Sequence, residues 1–501
     1  MKPSVLETDW SRLSGVIADA MGLHFPRERW SDLQRGLAEA AGELGFTEVA
    51  ACAEALLSAP LTKIQTQVLA DHLTIGETYF FREKKTFDAL ATQLLPALIE
   101  SRRAGERRLR LWSAACCTGE EAYSLAIMLH QLLPDLAGWH VTIIATDINA
   151  RFLGKAVAGS YGEWSFRDAP AGFKERYFIR SEEGRYLVVP EIRRMVTFAP
   201  LNLAEDSYPS LVTDTNAMDL VFCRNVLMYF APAQAARVIA NLHRALIEGG
   251  WLAVGPSEVS QALFPGFAVR NFPGVILYQK GGASLPSNPS PRPMPRVEPE
   301  HSDFPPSLPW RSAAVSVQPA AARPPAPRLE REEKRPAPYE LARSLYEQGQ
   351  YAEAAETLLA PVARTTRDPR EFHLLARALA NQGKLTEALA WCDRGLIADK
   401  LDAAGHYLRA TVLLEQGHAI PARTSLQRAV YLDPAFVLAH FALGNLARAN
   451  GRSGEADRHF GNAQQLLVRL RADDSLPEGE GLTAGRLAEI ITALTTLKTT
   501  R

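Results

Sequence analysis

The chain reads WSAACCTGEEAYSLA from Trp112 to Ala126. Just upstream, RLRLWSAAC has the pattern of a strand; from Glu120, EEAYSLAIMLHQLL spaces its apolar residues as a helix does. Thr118-Gly119 makes the turn between them. A strand passing through a small-residue turn into a helix is the opening unit of an α/β layer. The adjacent cysteines raise the question of a thiol or metal site. No C-x-x-C is present, and Cys223 sits in the separate context FCRN, so no metal set is expected. Neither G-x-G-x-x-G nor G-x-x-x-x-G-K-[ST] occurs here, and Glu120 and Glu121 would repel a phosphate. Paired carboxylates suit a cationic ligand. S-adenosylmethionine fits, with a sulfonium, an ammonium and no phosphate. One glutamate would take the amino group while the other faces solvent or favours the helix N-terminus.

Working outward, HVTIIATDI reads as a strand and NARFLGKAVAG as a helix. MVTFAPLNL, MDLVFCRNVL and GGWLAVGPSE are further strands, with the helix AQAARVIANLHRALI before the last. FAVRNFPGVILYQK closes the region as two strands about a Pro-Gly turn. The alternation predicts a mostly parallel sheet covered on both faces. RYFIRSEEGRYLVVPEIRRMVTF interrupts it as a small hairpin insertion, about residues 177–198. Residues 1–75 read as helices and hold six Lys/Arg against ten Asp/Glu, so this part is net acidic.

The 501 residues are enough for two or three domains. A net charge of −1 gives no bulk field toward nucleic acid or anionic membrane, and neither is expected as a partner. MKPSVLETDWSRL has no signal-peptide core, and no apolar run approaches the roughly 20 residues of a membrane span. Five scattered cysteines suit reduced thiols, so a cytoplasmic location without membrane insertion is expected. Fifteen of the 33 prolines fall between Gly281 and Pro338, which predicts a disordered, semi-extended linker over 281–337.

Beyond the linker, Gly349, Gly383, Gly417 and Gly451 recur every 34 residues. Ala354, Ala388, Ala422 and Ala456 follow each by five; Ala342, Ala376, Ala410 and Gly444 precede each by seven. Small residues at those offsets let two antiparallel helices approach closely. The pattern resembles the tetratricopeptide repeat, expected over 338–470. Asp433-Pro434 matches that family's inter-repeat proline, whereas Thr366 and Lys400 do not. Such arrays offer concave surfaces to protein or peptide partners. GLTAGRLAEIITALTTL, within 471–501, reads as a final amphipathic helix that caps the array.

In open parallel sheets, ligands bind beyond the carboxyl ends of the strands. Those ends carry the Ser113–Glu121 loop, Asp147, Asn202, and Arg224 with Asn225. Asp147 could accept both ribose hydroxyls or could cap the following helix. GETYFFRE, Gly76 to Glu83, could form a lid through Thr78 and Arg82, or could be a core aromatic pair with a solvated arginine.

TIGETYFFRE, LWSAACCTGEEAYSLA, ATDIN, FAPLNL and FCRNVLMYF stand in the order and spacing of the chemotaxis receptor methyltransferases of the CheR type. The resemblance covers roughly residues 10 to 280. It implies an α/β Rossmann-like methyltransferase over 76–280, behind a helical N-terminal domain at 1–75 and with the small β insertion. The repeats then form an all-α domain, as in variants from alternative chemosensory systems. The family's motifs place Thr78 and Arg82 at S-adenosylmethionine, with Gly76 where Asn is common. Glu121 would hold its amino group and Asp147 its ribose. Asn202 and Leu203 would lie near the adenine, and Arg224 and Asn225 beside the methionine portion. Tyr229 would stand near the transferred methyl. Arg82 would orient the acceptor carboxylate or organise the pocket. Serine or alanine is common at the cysteine positions, so serine there should be tolerated.

The implied reaction methylates glutamates of methyl-accepting chemotaxis receptors. A glutamate is already ionised at neutral pH, so alignment and exclusion of water replace a general base. Receptor docking would fall on the helical N-terminal domain and the hairpin, where Arg27, Arg29 and Arg35 could contribute or could be ordinary solvated charges. Two rival readings are a methyltransferase for another substrate and a repeat scaffold whose methyltransferase site is catalytically weak. Arg102, Arg103, Arg107, Arg108 and Arg110 are expected to form a solvated connection rather than a nucleic-acid surface.

Overall fold

A computed structural model describes residues 7–170, 172–260, 262–281, 338–364 and 368–496. The expected linker at 282–337 and Thr366 lie outside the described residues.

Among the described residues there are ten strands: β1 (Arg108–Ala114), β2 (His140–Asp147), β3 (Ser160–Tyr161), β4 (Phe178–Arg180), β5 (Tyr186–Val188), β6 (Val196–Pro200), β7 (Met218–Phe222), β8 (Leu246–Ala253), β9 (Phe267–Phe272) and β10 (Val275–Lys280). Seven build one sheet in the order β6-β2-β1-β7-β8-β10-β9. The first five are mutually parallel, and the β9–β10 hairpin adds on antiparallel. The two-residue side-chain period splits the core in two. Leu111, Ile143, Leu220 and Phe222 face one layer with the helix Glu120–Leu132. Trp112, Ile144 and Val221 face the other, with Val238 and Leu242 of the helix Pro232–Ala245. With both faces covered, every residue of β1 and β7 is buried.

The insertion is a three-stranded sheet, β3-β5-β4, not the hairpin expected. Ser160–Tyr161 adds the third strand, which is too short to leave a periodic signal. Phe80 is fully buried beneath it, with ring centroids 5.0 Å from Tyr161 and Phe166 and 5.1 Å from Phe178. The aromatic pair of GETYFFRE is therefore core. The N-terminal helices bury their own cluster, including Leu13, Ile17, Leu33, Leu37 and Leu69. A capping box between Thr62 and Gln65 starts the helix Lys63–Leu73.

Four helix pairs form the repeats, and Gly349, Gly383, Gly417 and Gly451 make each turn at φ between 70° and 78°. The in-phase alanines are buried, and a Cβ at Gly444 would meet the Phe460 ring at 2.5 Å. The turn edge of the array docks on the amino ends of the sheet strands. Beside Gly349 lies Arg244, beside Gly383 lies Ile247, and a Cβ at Gly417 would meet His140 at 2.9 Å.

Leu211 and Val212, from the loop between β6 and β7, pack into the repeat cores. Arg108, 4% exposed, pairs with Glu415 at 3.2 Å, and Asn216 donates to the same carboxylate at 3.0 Å. Arg110, 1% exposed, binds Asp214 at 2.6 Å, and Arg102 pairs with buried Asp219. Arg103 and Arg107 are exposed, as a solvated connection requires, but the expectation is corrected at Arg108 and Arg110: alternation along β1 carries them inward, where the repeats and the β6–β7 loop supply anions. The final helix, Ala484–Thr496, packs Leu487, Ile491 and Leu494 on the last repeat. Among the described residues no helix is long and apolar enough to cross a membrane.

Candidate active site

The carboxyl ends of β1, β2, β6 and β7 open into one cleft with about 1020 Å³ of empty space, continuous with solvent. β1 lies between β2 and β7, so the chain's two directions of winding part there. Of the expected site residues, Thr78, Arg82, Glu121, Asp147, Asn202, Leu203, Arg224, Asn225 and Tyr229 all line this cleft. Gly76 does not. A Cβ built on it would meet the Phe152 ring at 2.7 Å, and that ring forms the wall instead.

Glu121 enters on the first turn of the helix Glu120–Leu132. Ser113 donates to one of its oxygens at 2.6 Å and Arg224 to the other at 3.1 Å. Burial raises its pKa, and Arg224 opposes that shift. Arg224 also donates to the Arg82 carbonyl at 2.7 Å and to Glu83 at 2.6 Å. Its Nε is buried and has no partner among the described residues. Of the two places expected for the other glutamate, Glu120 takes the helix N-terminus and not solvent: it is buried on the first turn, accepting from Thr118 at 2.6 Å and Ser165 at 2.9 Å. The two glutamates are one residue apart on a helix, about 100° around it, so only Glu121 reaches the cleft.

Asp147 ends β2. Its two oxygens accept from the backbone N–H of Cys117 and of Asn149, each at 2.8 Å. Burial nonetheless raises its pKa to about 6. The helix cap is Asn149, whose side chain accepts from Phe152 N–H at 2.9 Å, so the capping alternative does not fall to Asp147.

The backbone turns sharply around the cleft. Phe81, Glu83, Ala115, Cys117 and Asn225 all have φ between 52° and 62°, a conformation rare for residues with a Cβ. Glu258 sustains one of these turns, accepting from the backbone N–H of Asn225, Val226 and Gly255 at 2.7 Å each. The sequence reading passed over it; GPSE after a strand was the available signal. It also missed the contribution of the N-terminal helices, from which Met21, Leu23, His24, Phe25 and Arg29 close the cleft. Arg29 lies over the rings of Phe25 and Tyr229, at 5.2 and 5.3 Å, and pairs with Asp32. It belongs to the cleft wall rather than to an open basic patch. Arg82 donates to the Glu77 carbonyl at 2.6 Å.

Cys116 and Cys117 both line the cleft. Burial, with Asp147 alongside, pushes the Cys117 thiol up to about 12 and raises Cys116 as well. Neither is poised as a nucleophile. No group of three or more His, Cys, Asp or Glu suited to a metal occurs among the described residues. The donor set fits S-adenosylmethionine. Two carboxylates match its cationic and hydroxyl groups, the unpartnered Arg224 Nε suits a carboxylate, and Leu23, Ile148, Phe152 and Leu203 offer apolar surface.

The chain matches the family described as CheR methyltransferase, SAM binding domain, over residues 76–267, and the tetratricopeptide repeat over 339–403. It is 37% identical to chemotaxis protein methyltransferase 1 of Pseudomonas aeruginosa, a match covering 44% of this chain and 81% of that one. It is 33% identical to chemotaxis protein methyltransferase 2 of Vibrio cholerae, over 42% of this chain and 70% of that one. A third relative, the "Probable biofilm formation methyltransferase WspC" of Pseudomonas aeruginosa, is 32% identical over 77% of this chain and 83% of its own length.

Proposed function

This chain belongs to the CheR methyltransferase family, a methyltransferase of chemosensory signalling with S-adenosylmethionine as cofactor, and from that premise we propose that it methylates glutamate side chains of a methyl-accepting chemotaxis-type receptor. The bound cofactor supplies a methyl group on a sulfonium, which a carboxylate oxygen can take without a general base. One observation carries the reading: Glu121, Asp147 and Arg224 converge on one cleft that holds no phosphate cradle and no activated nucleophile.

In this reading Glu121 holds the cofactor's ammonium, and Arg224 keeps Glu121 ionised and oriented. Asp147, fixed by two backbone N–H groups, accepts the ribose hydroxyls. Asn202 and Leu203 flank the adenine. Thr78, Arg82, Asn225 and Tyr229 shape the end where the acceptor carboxylate enters, and Arg82 orients that carboxylate. The apolar wall from the N-terminal helices excludes water, which raises the strength of each charge–charge contact. The tetratricopeptide array would engage a protein or peptide partner of the same pathway.

The test is transfer of radiolabelled methyl to a receptor cytoplasmic fragment. A base-labile label, lost when the receptor's glutamates are replaced by alanine, supports the glutamyl ester. Label that resists base would assign another acceptor.

A further inference from the structure

We propose that Arg486, in the helix Ala484–Thr496, is a positioning residue for the cofactor cleft, so that docking of the repeat array and cofactor affinity are coupled. The inference rests on the reading above that the cleft wall at Asn202 holds the cofactor.

Arg486 lies on the helix Ala484–Thr496, which packs on the last repeat, yet its side chain points away from the array's core. Its Nη2 donates to the Pro200 carbonyl at 3.1 Å. Pro200 ends β6, stands opposite Asp147 in the sheet register, and lies two residues before Asn202. Its Nε faces Glu205 at 3.8 Å. The other oxygen of Glu205 accepts from Asn202 Nδ2 at 3.3 Å. One guanidinium therefore touches the segment 200–205 at both ends.

The contact continues to the opposite wall. Arg486 Nη1 donates to Glu489 at 2.9 Å, and Glu489 pairs with Lys63 at 2.8 Å. Lys63 begins the helix Lys63–Leu73, whose far end supplies Leu73, Thr74 and Ile75 to the cleft. The chain Pro200–Arg486–Glu489–Lys63 thus straps the sheet side of the cleft to the helical side, and the strap belongs to the repeat unit. The two walls also meet directly, Asn202 Nδ2 donating to the Ala20 carbonyl at 2.8 Å and Asn149 Nδ2 to Thr74 at 2.8 Å, and the strap adds to these ties a contact that comes from the repeat unit. The array is also held at Arg108–Glu415 and by Glu480, which accepts from Leu211 N–H at 2.8 Å. Anything that lifts the array would withdraw the strap. By linkage, cofactor binding must then favour the docked array by the same factor.

The experiment is calorimetric titration of the full chain with S-adenosylhomocysteine, for wild type, Arg486→Ala and Arg486→Lys. Arg486→Ala is expected to bind at least about fivefold more weakly, in the usual range for coupled sites, and Arg486→Lys to recover part of the loss. In the methyl-transfer assay the KM for S-adenosylmethionine should rise in step while kcat changes less than about twofold. Should Arg486→Ala fail to fold, Glu205→Gln removes the charge from the wall side of the contact and is expected to weaken binding in the same direction. Wild-type binding with unchanged affinity in Arg486→Ala, or in Glu205→Gln where the first variant does not fold, overturns the inference alone. A wild-type chain that binds no S-adenosylhomocysteine overturns the cleft assignment and the inference with it.

Discussion

Glu121 and Arg224 meet at 3.1 Å across the cleft, from the start of a helix after β1 and the residue after Cys223 beyond β7, with the arginine side chain 1% exposed. The pair sits 103 residues apart in the chain and joins the two strands at which the sheet changes direction. Glu121→Gln keeps the shape and removes the charge. S-adenosylhomocysteine should then bind at least about tenfold more weakly, about 1.4 kcal/mol, because the ligand's ammonium loses its counter-charge. Calorimetry reads this directly. Affinity within twofold of wild type would remove Glu121 from the amino-group role.

Asp147 predicts a pH dependence. Burial pushes its carboxyl up to about 6, and protonation turns one of its two acceptor oxygens into a donor, which weakens its hold on two hydroxyls. Cofactor affinity should hold above pH 7 and fall about tenfold by pH 5, since a group with that pKa is then about nine-tenths protonated. Asp147→Asn should bind weakly and flatly across the range. The same shift acts on folding with the opposite sign. The folded state takes up the proton first, so this group's contribution to stability grows as pH falls from about 6 toward the ordinary 3.8. An affinity that rises on acidification would contradict the assignment.

Arg108 and Glu415 form a buried ion pair between the sheet and the third repeat. Removing either partner leaves a buried charge, so Arg108→Ala and Glu415→Ala should each destabilise the docked chain by about 3–5 kcal/mol. The double variant should cost less than the sum of the singles. Thermal melts of the four proteins complete the cycle. Strict additivity would mean that the contact does not couple the two units.

Cys117 lies beside the ligand space with its thiol raised to about 12. At pH 8 almost none is thiolate, so iodoacetamide should label it far more slowly than an exposed cysteine. Cys117→Ser should retain at least about half the wild-type methyl-transfer rate. Loss of activity in the serine variant would restore a chemical role to the sulfur.

Glu258 accepts from three backbone N–H groups at 2.7 Å and holds the turn that presents Arg224 and Asn225. Glu258→Ala leaves those donors buried and unpaired, at about 1–3 kcal/mol each before relaxation. A fall in melting temperature together with weaker cofactor binding is expected. A variant that melts like wild type would show that the turn stands without it.

The strand–turn–helix at Trp112–Ala126, the alternation after it and the 34-residue phase of the repeats were all legible, because periodicity and turn chemistry are local properties. The sequence by itself also brought the Ser113–Glu121 loop, Asp147, Asn202 and Arg224 to one edge, since parallel strands deliver their carboxyl ends there whatever the loops do, and the family motif singled out Glu121 within that loop. What only the tertiary structure decided depends on partners distant in the chain. Where Glu120 goes is one case: the helix rotates between it and Glu121, so its carboxylate meets Thr118 and Ser165 instead of the cleft. Arg108 and Arg110 read as solvated until the repeats and the loop at 208–217 brought anions to them. Gly76 stands where the family often has Asn, and only the fold shows that the Phe152 ring, from the helix Ala150–Ala158, forms the cleft wall there. Arg486 lies 284 residues from Asn202 in the chain. No local pattern ties it to the cleft, because its role comes from packing of the repeat unit against the sheet edge.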